Sequence, residues 1–439
     1  MASSWIPEAQ CDLPPEVLGL VIARLPNPAD RARFRAVCRS WHSSARQYAR
    51  PQMPWVVLGD GYVFSPSSGR YHRLPSFPDD GICIGSTDGW LALGLGDTYT
   101  CGHARKHRLH SFLLHNTFSG ESVPLTVQDS IVVHETCKIR KFLMRSTPDD
   151  FIAVVTDNVS YPLIVFQQGS GAWLPEPGKT RYRYIIDVAF LGDTLYAITR
   201  NEDLVPLDLA LDGDGTPVVT VGKRVIKQSP GYDGWNSWST SDDEEEDETD
   251  DEEVKDEEED SSDEATTTDE EEEGDDYEVT TTDVDDDDDD DGASEEGDSS
   301  HILSSSVQYA SDDETGGFIV TSRHLIESRG KLLLVRRHKQ TPLSSPSFTR
   351  RVDVLEADVD TGMWVPLPVD NGLGGDRALF ISLDFSKFVS APRGEVDADV
   401  VYNIDTGEAF DFRSQTSIGS RFCKPSQGIT WLFPPELVL

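Results

Sequence analysis

The densest group of side chains able to do chemistry is CGHARKHRLH, residues 101–110, which places Cys101, His103, His107 and His110 close together. Imidazole and thiolate at such spacings can hold a divalent metal. Arg105, Lys106 and Arg108 are interleaved with them, and nearby cations oppose a further positive charge. A basic loop at a sheet edge is the reading that fits. The six cysteines, Cys11, Cys38, Cys83, Cys101, Cys137 and Cys423, show no regular spacing and no CxxC pair. They read as reduced thiols of an intracellular protein, nuclear or cytoplasmic, with neither a disulfide framework nor a zinc site. No GxSxG and no phosphate-binding P-loop occurs. GLGGD, residues 372–376, is a turn, because no helical pattern follows it. The expectation is a protein with no catalytic residue, cofactor or metal of its own.

The elements that would position a binding function begin at residue 13. In LPPEVLGLVIARLPNPADRARFRAVCRSW, residues 13–41, Asp12 can cap a helix and Pro14 and Pro15 suit a first turn whose amides lack partners. Val17, Leu18, Val21, Ile22 and Leu25 then fall on one helical face. Pro26 and Pro28 stop that helix, and Asn27 or Asp30 can start another. In the second helix Phe34, Val37, Cys38 and Trp41 form one apolar stripe, with Arg31, Arg33, Arg35 and Arg39 on the other faces. Two short amphipathic helices cannot bury a core alone, so the segment either packs on its own chain or docks on another.

The ordered set Leu13-Pro14, Val17-Leu18, Val21-Ile22, Leu25-Pro26, Arg31, Phe34 and Val37-Cys38-Arg39-Ser40-Trp41 resembles an F-box. The resemblance implies binding to the Skp adaptor of a Skp–cullin–F-box ubiquitin ligase. It carries the adaptor contact, or its shaping, to Leu13, Pro14, Val17, Leu18, Ile22, Leu25, Val37 and Trp41. Gly19 departs from a strong helix, at a cost of about 1 kcal/mol relative to alanine.

From Pro54 the pattern changes to short apolar runs between Gly, Pro, Ser and Asp turns, the signature of an all-β domain. Two themes recur. One is a strand, a turn ending in Ser/Thr-Gly and a return strand: VFSPSSGRYHRLP (63–75), LLHNTFSGESVPL (113–125), VLEADVDTGMWVPLP (354–368) and VYNIDTGEAFDF (401–412). The other is a glycine ahead of an apolar strand, in DGWLALG (88–94), LGDTLYAIT (191–199) and RGKLLLVRR (329–337). Such self-similarity predicts a β-propeller of about six to seven blades, at roughly 40–50 residues each. A sandwich is the competing fold, but the β region is long for one. Trp90, Trp173, Trp364 and Trp431 are expected in blade cores. The region also resembles the KIB-type propeller of plant F-box proteins, through HLIESRGKLLLVRR (324–337), Met363-Trp364-Val365, Gly375-Asp376-Arg377-Ala378-Leu379-Phe380 and Trp431-Leu432-Phe433-Pro434. An upstream piece, Gly171-Ala172-Trp173 followed by DVAFLGDTLYAIT (187–199), fits as well. The likeness fades over residues 391–400.

The formal charge of -41 is local. Residues 241–300 hold 37 of the 79 acidic residues and one basic residue, Lys255, which leaves the rest close to neutral. A segment so poor in apolar residues cannot offset an ordering cost of about 1–2 kcal/mol per residue, so a disordered insert is expected over 231–300. Nucleic acid is excluded as its partner by like charge. No apolar run is long enough for a membrane span, and MASSWIPEAQ is no secretory signal.

The expected organisation is a tail (1–8), an F-box (9–50), a propeller (54–230 and 301–439) and the acidic insert. The function expected is a ubiquitin-ligase substrate receptor: the F-box binds a Skp adaptor, and through it a cullin, while the propeller recruits a protein substrate. The alternative is an interaction protein outside ubiquitin ligases that binds basic partners through the acidic segment.

Overall fold

The computed structural model describes residues 13–25, 28–48, 53–74, 77–87, 89–101, 104–125, 139–157, 162–167, 170–173, 185–227, 305–309, 317–382, 385–391, 395–420 and 428–433. Asp12, Pro26, Asn27 and the insert expected over 231–300 lie outside them, as do the side chains of residues 97–110 and of Trp173.

Three helices open the chain, not two: α1 (Pro15–Ala23), α2 (Pro28–Ala36) and α3 (Arg39–Tyr48). Pro14 is extended at the cap and Pro15 takes the first helical position. Pro28 opens α2, because its missing N–H would be unpaired there anyway. The stripe expected from Phe34 to Trp41 is broken at Val37 and Cys38, between α2 and α3. His42 N–H donates to Cys38 O to start the new helix. The break folds the Trp41 ring back to 4.4 Å from Phe34. Leu18, Ile22, Phe34 and Ala45 form the small core, with Leu25, Trp41 and Tyr48 packed against it.

The described strands then form six blades. Blade one is β1 (Trp55–Leu58), β2 (Tyr62–Ser65) and β3 (Arg70–Arg73). Blade two is β4 (Gly81–Thr87), β5 (Trp90–Cys101), β6 (Ala104–Asn116) and β7 (Ser122–Leu125). Blade three is β8 (Ile139–Met144), β9 (Ile152–Thr156), β10 (Leu163–Gln167) and β11 (Ser170–Trp173). Blade four is β12 (Ile185–Leu191), β13 (Thr194–Thr199), β14 (Leu204–Leu211) and β15 (Pro217–Val221). Blade five is β16 (Ser305–Tyr309), β17 (Phe318–Ser328), β18 (Lys331–Thr341), β19 (Phe348–Asp358) and β20 (Met363–Pro366). Blade six is β21 (Arg377–Ile381), β22 (Ser386–Ser390), β23 (Val400–Asn403), β24 (Glu408–Asp411) and β25 (Thr416–Ser420). The late strand β26 (Gly428–Leu432) returns to blade one and pairs antiparallel with β1, Val56 opposite Trp431.

Each hydrophobic cluster of the ring lies between two neighbouring blades. Val57 and Leu93 join blades one and two, and Leu114 and Phe142 join two and three. Val165 and Val188 join three and four, and Leu204 and Trp364 join four and five. Val335 and Val401 join five and six, and Phe380 and Trp431 close six onto one. The ring is thus continuous, and removing water from these apolar faces is its main stabilisation. Trp364 and Trp431 are fully buried, and Trp90 packs half-buried beside the cluster of Phe142.

The four Ser/Thr-Gly motifs form the turns β2–β3, β6–β7, β19–β20 and β23–β24. Gly69 and Gly362 there have φ of +65° and +68°, a region that costs other residues strain. Residues 391–400, where the likeness fades, fall in an irregular blade: β21 pairs antiparallel with β22 and parallel with β23. The chain must cross over between the second and third of these strands.

Buried charges also stitch the blades. Lys141 Nζ on β8 donates to Asp187 Oδ1 on β12 at 2.7 Å, to Val188 O at 2.9 Å and to Leu325 O on β17 at 3.3 Å. Asp187 Oδ2 accepts Leu325 N–H at 2.8 Å. One ion pair therefore links three blades with its hydrogen-bonding capacity largely used. His324 is buried next to it. Burial lowers its pKa to about 4, against the pull of Asp187, so it is neutral at pH 7. Its Nε2 has no hydrogen-bond partner among the described residues.

Candidate docking site on the N-terminal helices

The helical segment divides its apolar residues between two surfaces. Leu18 and Ile22 are fully buried, and Gly19 is covered. A Cβ on Gly19 would stand 2.6 Å from Tyr48 Cγ. The glycine that looked like a flaw in α1 is what lets α3 approach. Arg31, expected on a solvated face, is buried and donates from Nε to Leu25 O at 2.8 Å, satisfying a carbonyl just past the end of α1.

The opposite side of α1 is apolar and exposed. Leu13, Val17, Leu20 and Val21 are 46%, 40%, 57% and 38% exposed, and Val37 at the α2–α3 break is 47% exposed. At 100° per residue, Val17, Leu20 and Val21 form one stripe of about 100° width, with Leu13 just ahead of the helix. The residues assigned to the adaptor contact therefore part. Leu13, Pro14, Val17 and Val37 are available to a partner. Leu18 and Ile22 are core, and Leu25 and Trp41 are half-buried supports of it. Sequence periodicity finds an apolar face but not its division, because Val17 and Leu18 differ by one step on a continuous arc. Leu20 was missed for the same reason; its signal is a leucine outside the packed arc of an amphipathic helix.

Two of the cations of the helical segment are engaged locally: Arg33 Nη1 donates to Asp30 at 2.8 Å and Arg24 Nη1 to Leu20 O at 3.2 Å. Among the described residues no cluster of three or more His, Cys, Asp or Glu is placed to hold a metal. The side chains of Cys101, His107 and His110, and His103 itself, lie outside the described residues. The backbone there is a long hairpin of β5 and β6 and not a simple loop. An exposed aliphatic stripe on a small helical core can do one thing chemically: bury itself against another apolar surface.

Three short helices followed by a six-bladed ring are an F-box-like segment joined to a β-propeller. Comparison with known proteins agrees. Residues 10–48 match the F-box-like family model, and residues 63–422 match the KIB1-4 beta-propeller model. The chain belongs to the KIB1-4 β-propeller family. It is also similar to an Arabidopsis thaliana protein named "Putative F-box protein At4g22180", at 29% identity over 98 residues. That similarity spans 20% of this chain and 24% of the relative, about a quarter of its length.

Proposed function

We propose that the chain is the substrate-recruiting subunit of a Skp–cullin–F-box ubiquitin ligase. The observation that carries this reading is the exposed stripe of Leu13, Val17, Leu20 and Val21 beside Val37, on a helical core of F-box type. F-box domains generally bind Skp adaptors. The stripe docks on the adaptor, the adaptor brings the cullin, and the propeller holds a protein substrate in the nucleus or cytoplasm. The chain contributes no reacting group; the gain in rate comes from holding substrate near a charged ubiquitin carrier.

The test is co-purification. The double variant Leu13→Ala/Pro14→Ala is expected to lose the Skp adaptor while its propeller melts unchanged. Retention of the adaptor by a folded double variant overturns the reading. The second reading, an interaction protein outside ubiquitin ligases, is favoured by the concentration of 37 acidic residues over 241–300. A pull-down of intact protein that returns basic proteins with neither Skp nor cullin would establish it instead.

A further inference from the structure

The β18–β19 hairpin ends in a tip that the hydrophobic core does not reach. The clustered core residues of these strands stop at Val335 and Val352, and pairing runs on to Gln340 opposite Phe348. Thr341 Oγ1 and Ser347 Oγ lie 3.0 Å apart and close the neck of the turn. Pro342 is buried, with Gly317 beneath it: a Cβ on that glycine would stand 2.9 Å from Pro342 Cα. Leu343, Ser344, Ser345 and Pro346 then stand exposed, Leu343 at 82%. The tip is thus a short loop on a tied neck, open to a partner without any unfolding. Pro346 adds a backbone preference. Its ring clashes with helical geometry in the residue before it, which turns Ser345 toward extended backbone. An accessible hydroxyl in extended chain, followed by an exposed proline ring, is what a proline-directed protein kinase needs of its acceptor.

The same dipeptide, serine or threonine before proline, occurs six times: at Ser65, Thr147, Thr216, Ser229, Thr341 and Ser345. Sequence alone ranks them equally, and burial separates them. Ser65 is buried on β2. Thr216 is half-buried, its N–H and carbonyl both bonded to Asp212, and Pro217 is buried at the start of β15. Thr341 is half-buried in β18, and Pro342 is covered. Thr147 is exposed, but its carbonyl accepts Asp150 N–H at 3.0 Å in a tight turn, and Pro148 is half-buried. A phosphate there would also stand beside Asp149 and Asp150, which repel it. Ser229 lies outside the described residues. Ser345-Pro346 is therefore the one such pair among the described residues with both members exposed. Residues 340–352 contain no Asp or Glu, so no carboxylate of the hairpin tip opposes a phosphate. The connection before β17 does carry Asp312, Asp313 and Glu314, outside the described residues, so accessibility and backbone, and not a charge sum, select Ser345.

We propose that Ser345 is a phosphorylation site for a proline-directed protein kinase that uses ATP. Ser345 Oγ attacks the γ-phosphorus, a new O–P bond forms, and the bond from that phosphorus to the β–γ bridging oxygen breaks. ADP leaves, and the hydroxyl proton passes to the kinase's base. The product carries about −1.5 to −2 charges on a tip, residues 341–348, that held none. The blade core is untouched, because the tip lies beyond Val335 and Val352. The assignment stands without the receptor reading. On that reading it places a charge switch on the recruiting ring and not on the adaptor-binding helices, so cargo capture, and not adaptor binding, is what the phosphate regulates.

The test uses the full chain in a Ser229→Ala background, with Mg-ATP and a proline-directed kinase, and maps phosphate by peptide mass spectrometry. Synthetic peptides around Ser65, Thr147, Thr216, Thr341 and Ser345 serve as unfolded references. Relative to those peptides, the folded chain is expected to take phosphate at Ser345 at least about tenfold faster than at the other four sites. Ser345→Ala is expected to remove that label, Pro346→Ala to slow it about tenfold at unchanged melting temperature, and Ser344→Ala to leave it. A folded chain whose Ser345 stays unmodified while the Ser345 peptide is labelled overturns the proposal, wherever else phosphate enters. Label at Ser345 that Pro346→Ala does not slow overturns it too, since exposure alone would then be the cause. Ser345→Glu, which imitates the charge, is expected to retain the Skp adaptor and the melting temperature. A folded Ser345→Glu chain that loses the adaptor overturns the regulatory role, whereas retention of the adaptor by Leu13→Ala/Pro14→Ala bears only on the receptor reading.

Discussion

Trp431 Nε1 donates to Ile381 O at 3.1 Å, from the last strand of the ring to blade six. The indole also packs edge-on to Phe380 at 5.0 Å. One side chain thus belongs to blade one by its backbone and to blade six by its ring. Trp431→Ala is expected to cost about 3–5 kcal/mol, the range for emptying a buried aromatic site. The whole ring should respond, so tryptophan fluorescence and far-ultraviolet circular dichroism should lose their signals at one shared, lower temperature. A loss confined to the fluorescence probe would show that closure is local.

The two surfaces of α1 predict opposite phenotypes from adjacent residues. Leu18→Ala should destabilise the helical segment by about 2–5 kcal/mol through a cavity. Val17→Asp/Val21→Asp should leave its helicity intact and remove adaptor binding, since burying either carboxylate in an apolar contact is strongly unfavourable. Gly19→Ala should destabilise by about 1 kcal/mol, because overpacking against Tyr48 outweighs the better helix propensity. Circular dichroism and co-purification measured on the same preparations decide between these outcomes.

Lys141 and Asp187 form a pair in which each member needs the other. Lys141→Met alone should cost about 3–5 kcal/mol by leaving the Asp187 carboxylate buried without its cation. Lys141→Met/Asp187→Leu should recover much of that loss. Denaturant midpoints of the four proteins in the cycle give the answer, and a double variant as weak as the sum of the singles would refute mutual compensation.

His324 sets a pH dependence whose direction follows from burial. Its pKa is lowered to about 4 in the fold, so between about pH 6.5 and 4 the unfolded chain binds a proton that the folded chain does not. Stability should be full above about pH 6.5 and fall as the pH drops toward 4, by at most about 3 kcal/mol. Thermal melts of the native protein and of His324→Asn between pH 7 and 4.5 test this. The variant should show a shallower decline, and parallel curves would exclude His324 as the cause.

The parts of the fold legible in the sequence were those that a few adjacent residues dictate. Gly69 and Gly362 announce their turns because the backbone there disfavours side chains. Trp364 and Trp431 announce blade cores because so much apolar area has few other places to go. The break at Val37-Cys38 was not legible, since the apolar period runs across it and only the docking of Trp41 on Phe34 reveals it. The parallel strand of blade six was hidden for a similar reason: β23 has an ordinary strand pattern, and its direction depends on a crossover. The outer reaches of the β5–β6 and β18–β19 hairpins were not legible because, past the clustered core residues Leu93, Phe112, Val335 and Val352, they lack the apolar alternation by which a strand is recognised. Within α1 the sequence shows an apolar arc but not which half of it faces inward.

Pairing β26 with β1 has a consequence in time. The partner of Trp55 is Leu432, so the first blade cannot be completed during synthesis until nearly the whole propeller has left the ribosome. The N-terminal helices have no such wait, since Leu18, Ile22, Phe34 and Ala45 emerge together. A nascent or prematurely terminated chain would therefore present its exposed α1 stripe before it owned a finished ring. On the proposed function, such fragments would compete with complete molecules for the same adaptor, and rapid turnover of truncated chains would protect the pool of complete receptors.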